Sequence, residues 1–199
     1  MLFSFVQSDS MIANGLKIYR ILMIKLWNVN ATAAVLGVMQ AESGIMPTLE
    51  NPEGEGSYGL IQWTPKSKLL ERANYTDYDT LEKQCEIIDE DVRQFDLVDS
   101  VDFRYSKASP EILAEIFYKH YNQNTKMKDI IKIFAMKWME RLTKIDNKRI
   151  EYYTIQSGDT LDLIAKKFGY SGHNDLYPMN PGLTENTVLQ IDQRIRIYY

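Results

Sequence analysis

The sequence predicts an α+β protein in two parts. A mainly helical domain covers residues 1–149, and a small strand–helix–helix–strand unit covers residues 150–199. Three observations carry this reading. Apolar residues recur at helical spacing through most of the first part. One helical stretch, Ala31 to about Ala41, has no polar face over Ala33 to Met39, as a buried central helix does. After residue 149 the pattern changes, and Arg194-Ile195-Arg196-Ile197-Tyr198 alternates polar and apolar as a strand does. The join, Asp146-Asn147-Lys148-Arg149, is polar and brief, without a Gly/Ser or Pro-rich linker.

The elements follow in order. A first helix is expected over 10–27, with Ser8, Asp9 or Ser10 as its cap and Ile12, Leu16, Tyr19, Leu22, Met23 and Leu26 on its apolar side. Asn30 is expected to cap the apolar second helix, which Gly44 would end. Turn chemistry fills Pro47 to Gly56, and Ser57 to Trp63 reads as extended. Pro65 suits the first position of a short helix. Asp79 and Glu82 have capping-box spacing for a helix over 80–97. Ser109-Pro110 starts a helix to Tyr121, and a last long one runs over 127–144. In the second part, Asp159 or Thr160 caps a helix from Leu161 to Phe168 that Gly169 can end. Asn174 begins a second short helix, and Asn180-Pro181-Gly182-Leu183 makes a turn.

Composition narrows the chemistry. With 199 residues, 45% apolar and 25% charged, the chain has the balance of a folded protein rather than a disordered one. A net charge of −4 gives no global attraction to nucleic acid or to an anionic membrane. No apolar run reaches the roughly 18 to 20 residues of a membrane span. One cysteine, Cys85, and two histidines, His120 and His173, leave no intramolecular disulfide and too few ligands for a zinc centre. No metal or other cofactor is expected. Cys85 reads as a small core residue, and the acidic segment from Glu86 to Asp102 as a solvated helix face. The N-terminus has neither the early basic residue nor the small-residue cleavage site of a signal peptide.

Glu42 is the chief candidate for chemistry. It sits at the end of the all-apolar helix, in Gln40-Ala41-Glu42-Ser43-Gly44. Burial raises the pKa of such a carboxyl, and the negative end of the helix dipole pushes the same way. A carboxyl protonated near neutrality suits a general acid that protonates a leaving oxygen. Tyr58-Gly59-Leu60-Ile61-Gln62-Trp63 adds aromatics and an amide, groups that suit a saccharide groove.

Together, AVLGVMQAESGIMPTLEN and GSYGLIQWTP resemble the lysozyme-like domain of phage tail lysozymes. The Glu-Ser and Gly-Leu-x-Gln pair is also similar to that of lytic transglycosylases and goose-type lysozymes. The likeness covers about residues 10 to 145 and takes in the helix from Ser109 through Tyr121. It implies that Glu42 is the catalytic acid and that Tyr58 and Gln62 lie in the substrate groove. Trp63 would stand partly behind them, and Tyr121 across the cleft. A hydrolase commonly supplies a second carboxylate, for which Glu53 and Glu55 are the candidates. A transglycosylase manages with one.

In the second part, YTIQSGDTLDLIAKKFG and MNPGL resemble a LysM domain over residues 151–199. This implies binding to N-acetylglucosamine between Gly158, Asp159, Thr160 and Leu161 on one side and Met179 to Leu183, with Asn180, Pro181 and Gly182, on the other. Ile191-Asp192-Gln193 and the insert at Ser171 to Asn174 depart from the usual pattern. The resemblances together imply a tail-borne glycosidase of the virion. It would cut β-1,4 linkages of Gram-positive peptidoglycan to allow genome entry, with glycan strands and other tail-tip proteins as partners. The alternatives are an endolysin for host lysis and a non-catalytic tail-tip wall binder. A Cys/His peptidase is disfavoured because the acidic, helical surroundings of Cys85 oppose a thiolate.

Overall fold

In the computed structural model the described residues are 6–52, 56–95, 102–122, 127–168, 170, 172–177, 180 and 182–198. The chain divides into two compact units, Met1–Leu142 and Thr143–Tyr199. The first carries α1 (Asp9–Ile24), α2 (Val29–Ser43), β1 (Glu50–Asn51), β2 (Ser57–Tyr58), α3 (Ser67–Arg72), α4 (Leu81–Val92) and α5 (Pro110–Tyr121). A 3₁₀ turn, Phe103–Tyr105, precedes α5, and α6 (Lys128–Arg149) extends five residues beyond the expected end.

α2 is the centre of this unit. From Ala31 to Ala41 every residue is buried, and α1, α5 and α6 supply side chains around it. Its cap is Asn28 rather than Asn30. The Asn28 side chain accepts from the Ala31 N–H at 2.8 Å and donates to Ser106 O at 2.7 Å. Asn30 instead donates to Ala108 O at 3.0 Å. Gly44 ends the helix in the left-handed conformation, φ 63°, which a residue without Cβ adopts at little cost.

The packing is tight enough to need a second glycine. A Cβ on Gly37 would stand 2.5 Å from the Ala135 backbone nitrogen of α6. Helix propensity alone would make Gly37→Ala stabilising by roughly 1 kcal/mol. Here the clash is with backbone, so the variant should instead lose about 1–3 kcal/mol, read as a lowered urea midpoint.

α4 differs from its expected form in two ways. Its cap is Thr80, whose hydroxyl accepts from Lys83 N–H at 3.2 Å, and it ends at Val92 rather than 97. Nor is the acidic segment simply a solvated face. Asp89 is 3% exposed. Its carboxylate accepts from Trp27 Nε1 at 2.7 Å and from Arg93 at 2.8 Å, with Arg104 at 3.7 Å and Lys25 at 3.8 Å. The helical period alone could not reveal this, because Trp27 and Arg104 come from outside the helix. Asp96 and Asp99 lie outside the described residues. Cys85 is fully buried, and burial pushes its thiol far up from the ordinary range.

The second unit pairs β3 (Ile150–Thr154) antiparallel with β4 (Arg194–Tyr198), in register from Ile150↔Tyr198 to Thr154↔Arg194. Between them lie α7 (Leu161–Lys167) and a 3₁₀ turn, His173–Leu176, where the sequence suggested an α-helix from Asn174. Thr160 caps α7, its hydroxyl accepting from Leu163 N–H at 3.2 Å. Gly169, the expected stop signal, lies outside the described residues. Ile155, Ile164, Ala165, Leu176, Leu183, Ile195 and Ile197 form a small core. The chain is therefore α+β, with a mainly helical first unit and a strand–helix–turn–strand second unit.

Candidate active site

Glu42 occupies the last turn of α2, between the buried residues Ala41 and Ser43. Burial raises its carboxyl from the ordinary 4.5 to about 7, against opposing hydrogen bonds from the side chains of Asn122 and Tyr118. Near neutral pH the carboxyl is thus held partly in its protonated form. Tyr118 is itself 2% exposed, and burial with the nearby Glu42 carboxylate pushes its phenol up to about 12. It therefore stays protonated and remains a donor across the working range.

The following residue fixes this helix end to the hairpin. Ser43 Oγ lies 2.8 Å from Leu60 O and 3.0 Å from Met39 O. Leu60 belongs to a closed turn in which Tyr58 and Trp63 exchange backbone hydrogen bonds of 3.2 and 3.0 Å. The stretch from Ser57 to Trp63 is thus strand for two residues and turn thereafter, not extended throughout. Gly59 takes φ +81° and a Cβ there would meet Gln84 Oε1 at 2.6 Å. Gln84, buried on α4, explains the closeness. Its Oε1 accepts from Leu60 N–H at 2.8 Å, and its Nε2 donates to Pro47 O and Tyr78 O, both at 2.7 Å.

The residues expected to line a groove are brought to this turn, with their polar groups largely committed. Gln62 accepts from Ser57 Oγ at 2.8 Å and donates to Gly59 O at 3.0 Å and Leu49 O at 3.2 Å. It shapes the turn through its amide. Tyr58 is buried, with Lys66 Nζ 4.2 Å from its ring centroid and Tyr78 edge-on at 5.8 Å. Trp63 is also buried and meets Tyr121 edge-to-face at 6.5 Å. The Tyr121 hydroxyl donates to Asp91 Oδ2 at 2.8 Å. Tyr121 therefore buttresses Trp63 and α4, while the contacts with Glu42 come from Tyr118 and Asn122. Glu53 and Glu55 lie outside the described residues.

Tyr118 and Asn122 were missed by sequence reasoning, which followed the aromatic at the helix end. The available signal was their spacing. Residues four apart share one helix face, and these two carry the polar-tipped side chains of that face.

In the second unit a groove of about 420 Å³ is lined by Asp159, Thr160 and Leu161 on one side and Thr187, Val188 and Leu189 on the other. Asn180 clamps β4. Its Oδ1 accepts from Arg196 N–H at 2.7 Å and its Nδ2 donates to Arg196 O at 3.0 Å. Gly158, at φ +88°, makes the turn before α7. Asp159 accepts from Gln156 N–H at 2.7 Å and Tyr153 OH at 2.8 Å, which hold its carboxyl below the usual range. Gly182 has open space around its Cα, and Pro181 lies outside the described residues.

Residues 13–142 match the family model described as phage tail lysozyme, and residues 153–197 match that of the LysM domain. A similar protein is "Morphogenesis protein 1" of Bacillus phage B103, 33% identical over 84 residues. That match covers 40% of this chain and 22% of the relative, so the chain spans only a small part of that protein. With the greater part of its length matched, the chain belongs to the phage tail lysozyme family and carries a LysM domain after the lysozyme-like one.

Proposed function

We propose that the chain is a phage tail-associated peptidoglycan hydrolase that cuts β-1,4 glycan linkages of the Gram-positive wall, with Glu42 as its acid. The observation that carries this reading is the half-buried Glu42 carboxyl, raised to about 7 and set at a helix end against the hairpin turn. Glu42 gives its proton to the glycosidic oxygen as the bond to the anomeric carbon breaks. The developing cation is captured by water, or by the 6-hydroxyl of the same sugar, and Glu42 takes up the proton that the attacking oxygen loses. Membership of a family of tail lysozymes and likeness to a phage morphogenesis protein support a place in the virion tail, among other tail-tip proteins. The local cut then opens the wall for genome entry.

The LysM unit is proposed to hold the enzyme on its insoluble substrate through N-acetylglucosamine, using the groove beside Asp159 and Thr160. The division of labour places the catalytic domain in residues 1–149 and the binding domain in 150–199. Tethering raises the local concentration of cleavable strands. Deleting residues 150–199 should therefore sharply reduce pelleting with purified walls while soluble glycan fragments are still cut. Co-sedimentation unchanged by the deletion would place wall binding elsewhere.

Mass spectrometry of the soluble products from Gram-positive peptidoglycan tests the reading as a whole. Reducing sugar ends mean hydrolysis, and anhydro-muramic ends mean intramolecular capture. Failure to release glycan fragments from walls to which the protein binds would overturn the enzymatic reading in favour of a binding module.

A further inference from the structure

We propose that the outward face of β3 and β4 is a second wall-binding surface, on which Arg194 and Arg196, with Tyr152, take up phosphate groups of the phosphodiester-linked polyol polymer attached to the wall. The inference rests on the reading that the chain acts at a Gram-positive wall. It adds to the glycan-binding groove a surface of different chemistry, because such a wall offers two polymers, a glycan and a polyanion of polyol phosphate.

Strand alternation makes the face. Ile195 and Ile197 are buried in the small core, so Arg194 and Arg196 point the other way, and both are exposed. Side chains two apart on one strand stand about 7 Å from each other. The register sets Tyr152 opposite Arg196 and Thr154 opposite Arg194. Tyr152 is 47% exposed, and the Arg194 guanidinium lies over its ring, 4.4 Å from the centroid. β4 is fixed along both edges. β3 pairs with one, and the Asn180 side chain takes the N–H and the carbonyl of Arg196 on the other, at 2.7 and 3.0 Å. The backbone that presents the two arginines is therefore rigid.

The charge on this face is uncommitted. Among the described residues the arginines held in ion pairs are Arg72, Arg93 and Arg104, all in the first unit. Stacking over Tyr152 occupies the flat side of the Arg194 guanidinium and leaves its N–H edge outward, the edge that grips a phosphate by two hydrogen bonds. Phosphates separated by one glycerol come within reach of two guanidiniums at this spacing. The groove has the opposite character. Asp159, Asp162 and Glu185 line it, with no lysine or arginine among its lining residues. It suits a neutral sugar and repels a polyanion, whereas the sheet face attracts one, so charge sorts the two polymers between surfaces that share no residue. The net charge of −4 does not oppose this. At physiological salt, fields fade over about 8 Å, and the groups at the contact decide.

The test is co-sedimentation of the full chain with purified Gram-positive walls, either untreated or stripped of their phosphodiester polymer with hydrofluoric acid. Arg194→Gln combined with Arg196→Gln removes both charges. Arg194→Lys combined with Arg196→Lys keeps the charges and loses the planar fork. The glutamine variant should bind untreated walls about fivefold to twentyfold more weakly than the parent, with the lysine variant between them. On stripped walls all should bind alike through the groove. Soluble poly(glycerol phosphate) should compete with the parent for untreated walls, and less effectively as salt is raised. Equal binding of a folded glutamine variant and the parent to untreated walls overturns the proposal. So does a deficit of the same size on stripped walls, which would assign the face to glycan. Should the glutamine variant fail to fold, the competition decides, and a soluble polymer that displaces nothing overturns the proposal. Loss of parent binding to stripped walls, with the deficit on untreated walls retained, supports the phosphate surface and removes the glycan reading of the groove instead.

Discussion

Glu42→Gln is expected to abolish glycan cleavage and, at pH 8, to make the protein more stable. The first effect removes the only proton assigned to the leaving oxygen. General acid catalysis of this kind contributes about 10²–10⁴-fold, so product release should fall by at least that factor. The second effect follows from linkage. The Glu42 carboxyl titrates at about 7 in the fold against an ordinary 4.5. A group with a raised folded pKa contributes stability that is fully present below about 4.5 and is lost as pH rises through about 7. At pH 8 the ionised, partly buried carboxylate is thus a burden of about 3 kcal/mol relative to a neutral isostere. Glutamine removes that burden. Urea unfolding at pH 4 and pH 8 should show a variant close to the parent at the lower pH and clearly more stable at the higher. A variant that loses activity without this pH-dependent gain would have lost it through disturbed packing. Activity below pH 7 should be sustained, and above it should fall toward tenfold per unit as the proton is lost.

The second large effect is structural. Asp89→Ala should cost about 3–5 kcal/mol. The carboxylate is 3% exposed and gathers Trp27 Nε1, Arg93, Arg104 and Lys25. Removing the carboxylate leaves the buried Trp27 and Arg104 short of a partner, while the more exposed Arg93 and Lys25 can turn to water. Arg104 has a side chain 8% exposed and keeps Asp102, but Trp27 loses its acceptor outright. Denaturant unfolding measures the loss. A change under about 1 kcal/mol would mean that these cations are solvated rather than held by Asp89.

Much of the fold was legible because it is local. Burial of α2 follows from a run without polar residues, and its end from Gly44. The strand, capped helix and closing strand of the second unit follow from Thr160 and from alternation in 194–198. What escaped sequence reasoning depends on contacts between segments far apart. Asp89 resembles its acidic neighbours until Trp27 and Arg104 are brought against it. The amide of Gln84 looks like one more polar group on a helix, yet it fastens Leu60 from 24 residues away. The site shows the same division. Glu42 is recognisable from its own helix, whereas Tyr118 and Asn122 acquire meaning only when α5 lies on α2. Tyr121, the more conspicuous aromatic, is turned to Asp91 instead.

The burial of α2 has a consequence for how the site fails. Local openings in a protein involve segments with few buried contacts, while central helices exchange their amide hydrogens only when the whole unit opens. Glu42 rides on such a helix, and Ser43 ties the hairpin turn to the same end. Fraying of outer segments therefore leaves Glu42 in its place. Loss of the setting of Glu42 becomes a single event shared with the collapse of the lysozyme-like unit.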